Sequence, residues 1–235
     1  MKNNKERLMG MLNENKISQD DYNTLLVALE KTSFFSTIQS SLLLNPFQKI
    51  AGFKALAIGM IILLLMSYVG VIAKVYFIGS ISMLNASVVA TQTMNIGFLL
   101  LAYQNIVSWL VLTAVFIIAA KILQNKKIRI IDFLGTVSFA RFPLLLFTIF
   151  TSITRMVNPD MLDVDITKGL LVHPSIEQYL FSIVGMILVV WQIITYFYAL
   201  KESSGLIGKK LWLGFIVSII VAEFISHPLT TVVMN

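Results

Sequence analysis

The 19-residue run ALAIGMIILLLMSYVGVIA at 55–73 carries no charge and no proline. At 1.5 Å per residue a helix of that length is about 29 Å long, enough to cross a hydrocarbon core of roughly 30 Å. A helix apolar on all sides has no face to offer water, so the run belongs in lipid or in a very large core. Extended to about 55–78, it is the first of five such stretches; the others cover about 95–120, 130–154, 177–200 and 211–232. Lipid offers backbone groups no partners, so each stretch must close its own hydrogen bonds as a helix. The expected fold is therefore all-α, a bundle of five transmembrane helices.

Composition excludes most other classes. Hydrophobic residues make up 57% of the chain and charged residues 13%, about half the share of an ordinary soluble domain. Cysteine does not occur, which removes disulfides, thiolate catalysis and thiolate metal sites, and two histidines are too few for a histidine-rich metal site. The net charge of +6 comes mostly from basic residues at the ends of apolar runs, where they set orientation rather than bind phosphate backbones. No nucleic-acid partner, metal or cofactor is expected. No signal peptide is expected either, because the first thirty residues are charged and lack an apolar core.

Three segments follow from the pattern. Residues 1–32 read as a cytoplasmic helical hairpin: Leu8, Met11 and Leu12 form one apolar stripe, and Tyr22, Leu25, Leu26 and Leu29 a second. Ser18 is placed to cap the second helix, with Asp20 and Asp21 in its first turn and Ile17 and Tyr22 at the positions of a hydrophobic staple. Residues 33–54 read as an interfacial amphipathic segment carrying Phe34, Phe35, Ile38, Leu42 and Leu43, ended by Asn45-Pro46. Residues 55–235 hold the five spans.

Orientation is set by a count. Lys49, Lys54, Lys121, Lys126, Lys127, Arg129, Lys201, Lys209 and Lys210 flank one set of span ends, whereas the loops between the other ends carry Arg155 and Lys168. Asp160, Asp163, Asp165 and Glu177 lie on that second side, and residues 79–94 read as an uncharged loop there. The bias predicts the N-terminus inside and the C-terminus outside.

Ionisable groups inside apolar spans are the first place to seek function, since their burial is costly unless they are paired. Asp132, Arg141, Glu223 and His227 are such groups. By the helix rise, Arg141 and Glu223 both fall roughly 17 Å into their spans, close enough in depth to pair. His227 follows Glu223 by one turn, and Asn105, Ser108 and Gln192 lie at neighbouring depths. Arg141, Glu223, His227, Asn105 and Gln192 are thus the candidate intramembrane polar network, open to two readings: a pair that fixes helix register, or part of a path for protons, ions or lipid. Pro143 interrupts the third span nearby. Walker A, HExxH, GxSxG and GxGD motifs do not occur, so no catalytic role is expected.

Two resemblances add to this. The string MLNENKISQDDYNTLLVALEK resembles the short helical hairpins of the short-C-terminal-domain type at the termini of bacterial membrane and regulatory proteins. The string WQIITYFYALKESSGLIGKKLWLGFIVSII resembles the end of the Yip-domain family, the Ypt-interacting membrane proteins and their bacterial relatives. Trp191, the turn from Lys201 to Leu206, and Lys209 with Lys210 carry the likeness. LLLNPFQKIAGFKAL is similar to the segment leading into that family's first span, and FLGTVSFARFPLLL, with Gly135 and Pro143, to its third. The likeness covers about residues 42–232 and implies five spans with the N-terminus inside. Eukaryotic members engage small GTPases through a long N-terminal region; here the short hairpin stands in its place, so the resemblance implies architecture rather than GTPase binding. The expected role is a non-enzymatic bacterial inner-membrane protein for membrane organisation or partner recruitment. The bilayer is its surrounding, with a cytoplasmic protein bound through residues 1–32 or a second copy as possible partners. The alternative is a transporter, channel or lipid-handling protein using the polar path.

Overall fold

A computed structural model describes residues 2–14, 16–26, 43–82, 97–124, 127–158, 162 and 175–232. The chain divides into two compact units, Met1–Pro46 and Phe47–Asn235. In the first, α1 (Lys2–Asn13) is followed by a second helix, α2, described over 19–26. Ser18 caps α2 as its position predicts: the Asp21 N–H donates to Ser18 Oγ at 3.1 Å, and Ser18 N–H donates back to Asp21 Oδ2 at 3.4 Å. Leu8 is buried while Met11 and Leu25 are exposed. Leu29, the 32–33 junction and the apolar residues 34–42 of the expected interfacial segment lie outside the described residues.

Among the described residues, the second unit contains five helical segments long and apolar enough to cross a membrane. They are α3 (Gly52–Ala73), α4 (Phe98–Leu123), the broken pair α5 (Ile130–Phe139) and α6 (Phe142–Val157), α7 (Ile176–Ser204) and α8 (Gly208–Thr231). The protein is an all-α, multi-pass membrane protein. No strand occurs among the described residues. Outward-facing residues are apolar, as along Ile61, Leu64, Leu65 and Tyr68 of α3, which is what a lipid-facing surface requires.

The ends of the helices are written in the sequence. Ser175 and Gln178 form a capping box at the start of α7, and Gly205, at φ +70°, ends it in the left-handed conformation. The first span is shorter than its hydropathy suggests. It stops at Ala73 in a Schellman motif, with Val75 N–H bonded to Gly70 O at 3.1 Å and Lys74 N–H to Val71 O at 3.4 Å. Lys74 holds the left-handed position at φ +52°. Arg155, in the last turn of α6, donates from Nε to Ala73 O at 3.0 Å, placing a cation on the negative end of α3.

The third span is the centre of the bundle: 61% of its most apolar stretch is buried, against 17% for α7. It lies closest to α3 because small residues face each other there. A Cβ on Gly59 would meet Ser138 Oγ at 2.0 Å, and one on Gly135 would meet Gly52 O at 2.5 Å. At the same end, Gln124 donates to Ser204 O and Thr136 Oγ1 bonds Ser203 Oγ at 2.7 Å. The starts of α3, α5 and α8 and the ends of α4 and α7 therefore share the end of the bundle that carries Lys54, Lys121, Lys127, Arg129, Lys201, Lys209 and Lys210.

Candidate polar centre of the bundle

Beyond Lys74 the chain does not leave the bundle. Residues 75–82, VYFIGSIS, run as a non-helical segment buried throughout, with Phe77 and Ser80 at 0% exposure. Sequence alone assigns 75–78 to the first span and 79–82 to a polar, uncharged loop; the structure corrects the first, since the helix ends at Ala73, and keeps the second non-helical but buried, while 83–96 lie outside the described residues. An irregular backbone at membrane depth is tolerated only where protein satisfies its polar groups, each of which otherwise costs several kcal/mol. Here side chains do so. Gln104 Oε1 accepts from Phe77 N–H at 2.9 Å, and Thr230 Oγ1 from Gly79 N–H at 3.0 Å. Glu223 Oε2 accepts from both Ser80 N–H at 2.9 Å and Ile81 N–H at 3.0 Å. Ser80 Oγ lies 2.9 Å from Ser226 Oγ, and Gln104 Nε2 donates to Thr230 O at 3.0 Å. Gly79 sits at φ +75° with Glu223 Oε1 only 2.1 Å from where a Cβ would stand, so the segment closes tightly over the carboxylate because residue 79 lacks a side chain.

Arg141 is placed by the helix break. Pro143 has no N–H and its ring obstructs the preceding turn, so α5 ends at Phe139 and α6 restarts with the proline in its first turn. The break frees Ala140 O, which accepts from Thr195 Oγ1 at 3.0 Å. Arg141 between the two helices is 0% exposed and donates from Nη2 to Asn105 Oδ1 at 3.2 Å. Asn105 in turn donates to Ser67 Oγ at 3.0 Å, linking α5–α6 to α4 and α3. Arg141 Nε and Nη1 are buried with no hydrogen-bond partner, and so is Gln192 Oε1.

Tyr196 of α7 joins the two halves. Its fully buried hydroxyl accepts from Gln192 Nε2 at 2.9 Å, donates to Ser80 O at 3.4 Å, and lies within electrostatic reach of both Arg141 and Glu223. Arg141 thus bonds Asn105 and the tyrosine, whereas Glu223 bonds the backbone at Ser80 and Ile81. α8 begins at Gly208 rather than 211, which puts Glu223 about 22 Å from the basic end, while Arg141 is about 17 Å from it.

Of the expected network, Arg141, Asn105, Gln192 and Glu223 gather around one hydroxyl and one inserted segment. His227 does not join them; it is exposed, on the outward side of α8. Ser108 is buried and bonds the backbone of its own helix at Gln104 O, 2.7 Å away. Asp132 lies in the first turn of α5, 3.6 Å from Arg129. The acidic residues 160, 163 and 165 and His173-Pro174 lie outside the described residues. Gln104, Thr230, Tyr196 and Gly79 belong to the centre and were not singled out by sequence. Gln104 had a signal, since it stands beside Asn105 in an otherwise apolar run. Among the described residues no group of three or more His, Asp or Glu is arranged to hold a metal. No family model, curated protein or solved structure matches the chain.

Proposed function

We propose that this chain is a non-enzymatic bacterial inner-membrane protein of the Yip-domain type, with its N-terminus in the cytoplasm and C-terminus outside, that serves membrane organisation or partner recruitment. One observation carries this reading: Gln104, Thr230 and Glu223 are directed at the backbone of residues 77–81, where they hold the bundle closed. Polar groups used in this way stabilise a scaffold and leave the hairpin as the contact point. The resemblance of residues 42–232 supports the family, and the basic end of the bundle supports the orientation. The test is quantitative cross-linking in native membranes with the intact chain and with residues 1–32 deleted. A defined set of cytoplasmic proteins should cross-link to the intact chain and disappear with the hairpin. The same set on both chains would remove the hairpin from recruitment.

A second reading, passage of a solute, ion or lipid past the polar centre, is favoured by the unpartnered nitrogens of Arg141 and by the broken third span, a feature from which transporters build midplane sites. Flux through proteoliposomes that falls with Glu223→Gln would establish it in place of the scaffold.

A further inference from the structure

A strip of aromatic rings crosses from α7 to α8 near the basic end of the bundle, with a cation at each end. Lys201 Nζ lies 5.6 Å from the centre of the Tyr198 ring. Phe197 meets Tyr198 edge-on at 5.7 Å between ring centres and lies 4.6 Å from Trp212 of α8. Lys209, one turn before Trp212, shares its side of the helix, and Lys210 stands beside it. Trp212 is exposed, and so are both lysines. By the helix rise the indole sits about 6 Å into α8, the level at which amphipathic rings meet lipid headgroups. Residues 201–210 carry three lysines against one glutamate. Lys209 and Lys210 occupy the first turn of α8, which holds no acidic residue and where the helix dipole disfavours cations. Among the described residues no carboxylate forms an ion pair with Lys201, Lys209 or Lys210.

We propose that this strip binds one anionic phospholipid from the leaflet at the basic end. The lysines take its phosphate, and Phe197 and Trp212 take the glycerol and the first methylenes of its chains. Charge complementarity selects the occupant: a zwitterionic headgroup brings its own cation and gains less from the three lysines. A soluble anion would meet the lysines and leave the rings unused. Ile216, one turn beyond Trp212 and exposed, extends the apolar surface along an acyl chain. The site holds whether the bundle is a scaffold or a passage, so it goes beyond both readings above.

The test is tryptophan fluorescence of the full chain in phosphatidylcholine vesicles, quenched by dibrominated phosphatidylglycerol or by dibrominated phosphatidylcholine. Bromine on an acyl chain quenches an indole that it touches. A preference for phosphatidylglycerol of roughly fivefold or more is expected, and it should vanish when Lys209→Gln and Lys210→Gln are combined. Lys49→Gln with Lys54→Gln removes as many cations from the same end, outside the strip, and should leave the preference intact. Lys201→Gln, on the other helix, should lower it as well, and decides the matter if the α8 double variant does not insert. An unchanged preference in Lys201→Gln would overturn the site. So would equal falls in the two double variants, which would leave only the diffuse attraction of a basic surface. No preference in the parent, or one undiminished in Trp212→Phe, would overturn it too.

Discussion

Gly79 and Glu223, 144 positions apart in the chain, are so close that a single methyl group cannot be fitted between them: a Cβ on Gly79 would lie 2.1 Å from Oε1 and 2.7 Å from Cδ of the carboxylate. The contact joins the connection after the first span to the last helix.

Gly79→Ala therefore meets two obstacles, a left-handed backbone costing roughly 1–2 kcal/mol for an L-residue and displacement of the carboxylate from Ser80 and Ile81. Orphaning a buried donor adds about 1–3 kcal/mol. Gly205→Ala, at φ +70° with nothing within 4 Å, should show only the first term. Thermal unfolding in detergent should rank Gly79→Ala well below Gly205→Ala. Equal losses would mean that the carboxylate does not hold the segment.

Double-mutant cycles on unfolding free energy should separate direct from indirect contacts. Asn105→Leu with Arg141→Met removes both ends of one hydrogen bond, so the pair should couple within the roughly 0.5–3 kcal/mol typical of touching residues. Arg141→Met with Glu223→Gln should couple more weakly, because the two side chains bond different groups. The reverse order would show that the two charges meet directly, the arrangement their sequence depths suggest.

Much of this centre could be read from the sequence, and the remainder could not for identifiable reasons. Apolar length revealed the spans, and Pro143 revealed the break beside Arg141, because both act through the local backbone. The inserted segment carries no such mark: VYFIGSIS is as apolar as a helix end, and its partners lie far away in sequence. His227 failed for a rotational reason. The buried stripe of α8 runs through Ala222, Ser226 and Thr230. His227 is one residue past Ser226, about 100° around the helix, and so turns outward.

The contact between α3 and α5 should be repairable in part. Gly59→Ala drives its methyl into Ser138, 2.0 Å from Oγ and 2.5 Å from Cβ, and to 2.8 Å from Phe139 N, so it should destabilise the bundle, and Ser138→Gly should recover part of the loss by removing the side-chain clash while the backbone contact remains. Gly135→Ala meets backbone at Gly52 O, 2.5 Å away, and should not be rescued by trimming any side chain. Unfolding temperatures of the four variants test this; a double variant as unstable as Gly59→Ala alone would mean the clash is not with Ser138.

Orientation is open to labelling in intact cells. Single cysteines at Lys127 and Gly205 should react only with membrane-permeant reagents, and those at Gly97 and Ser175 with impermeant ones. Impermeant labelling of Gly205→Cys would invert the proposed topology.

The inserted segment also imposes an order on assembly. Its N–H groups at Gly79, Ser80 and Ile81 are answered by residues 142 to 151 positions later. When the first span enters the bilayer during synthesis, those partners have not been made. Until α8 arrives, the connection must keep its amides hydrated at the membrane surface or borrow temporary partners. A chain stalled before α8 would hold a threaded first span and an unseated connection, so insertion of α8 becomes the event that lets the interior close.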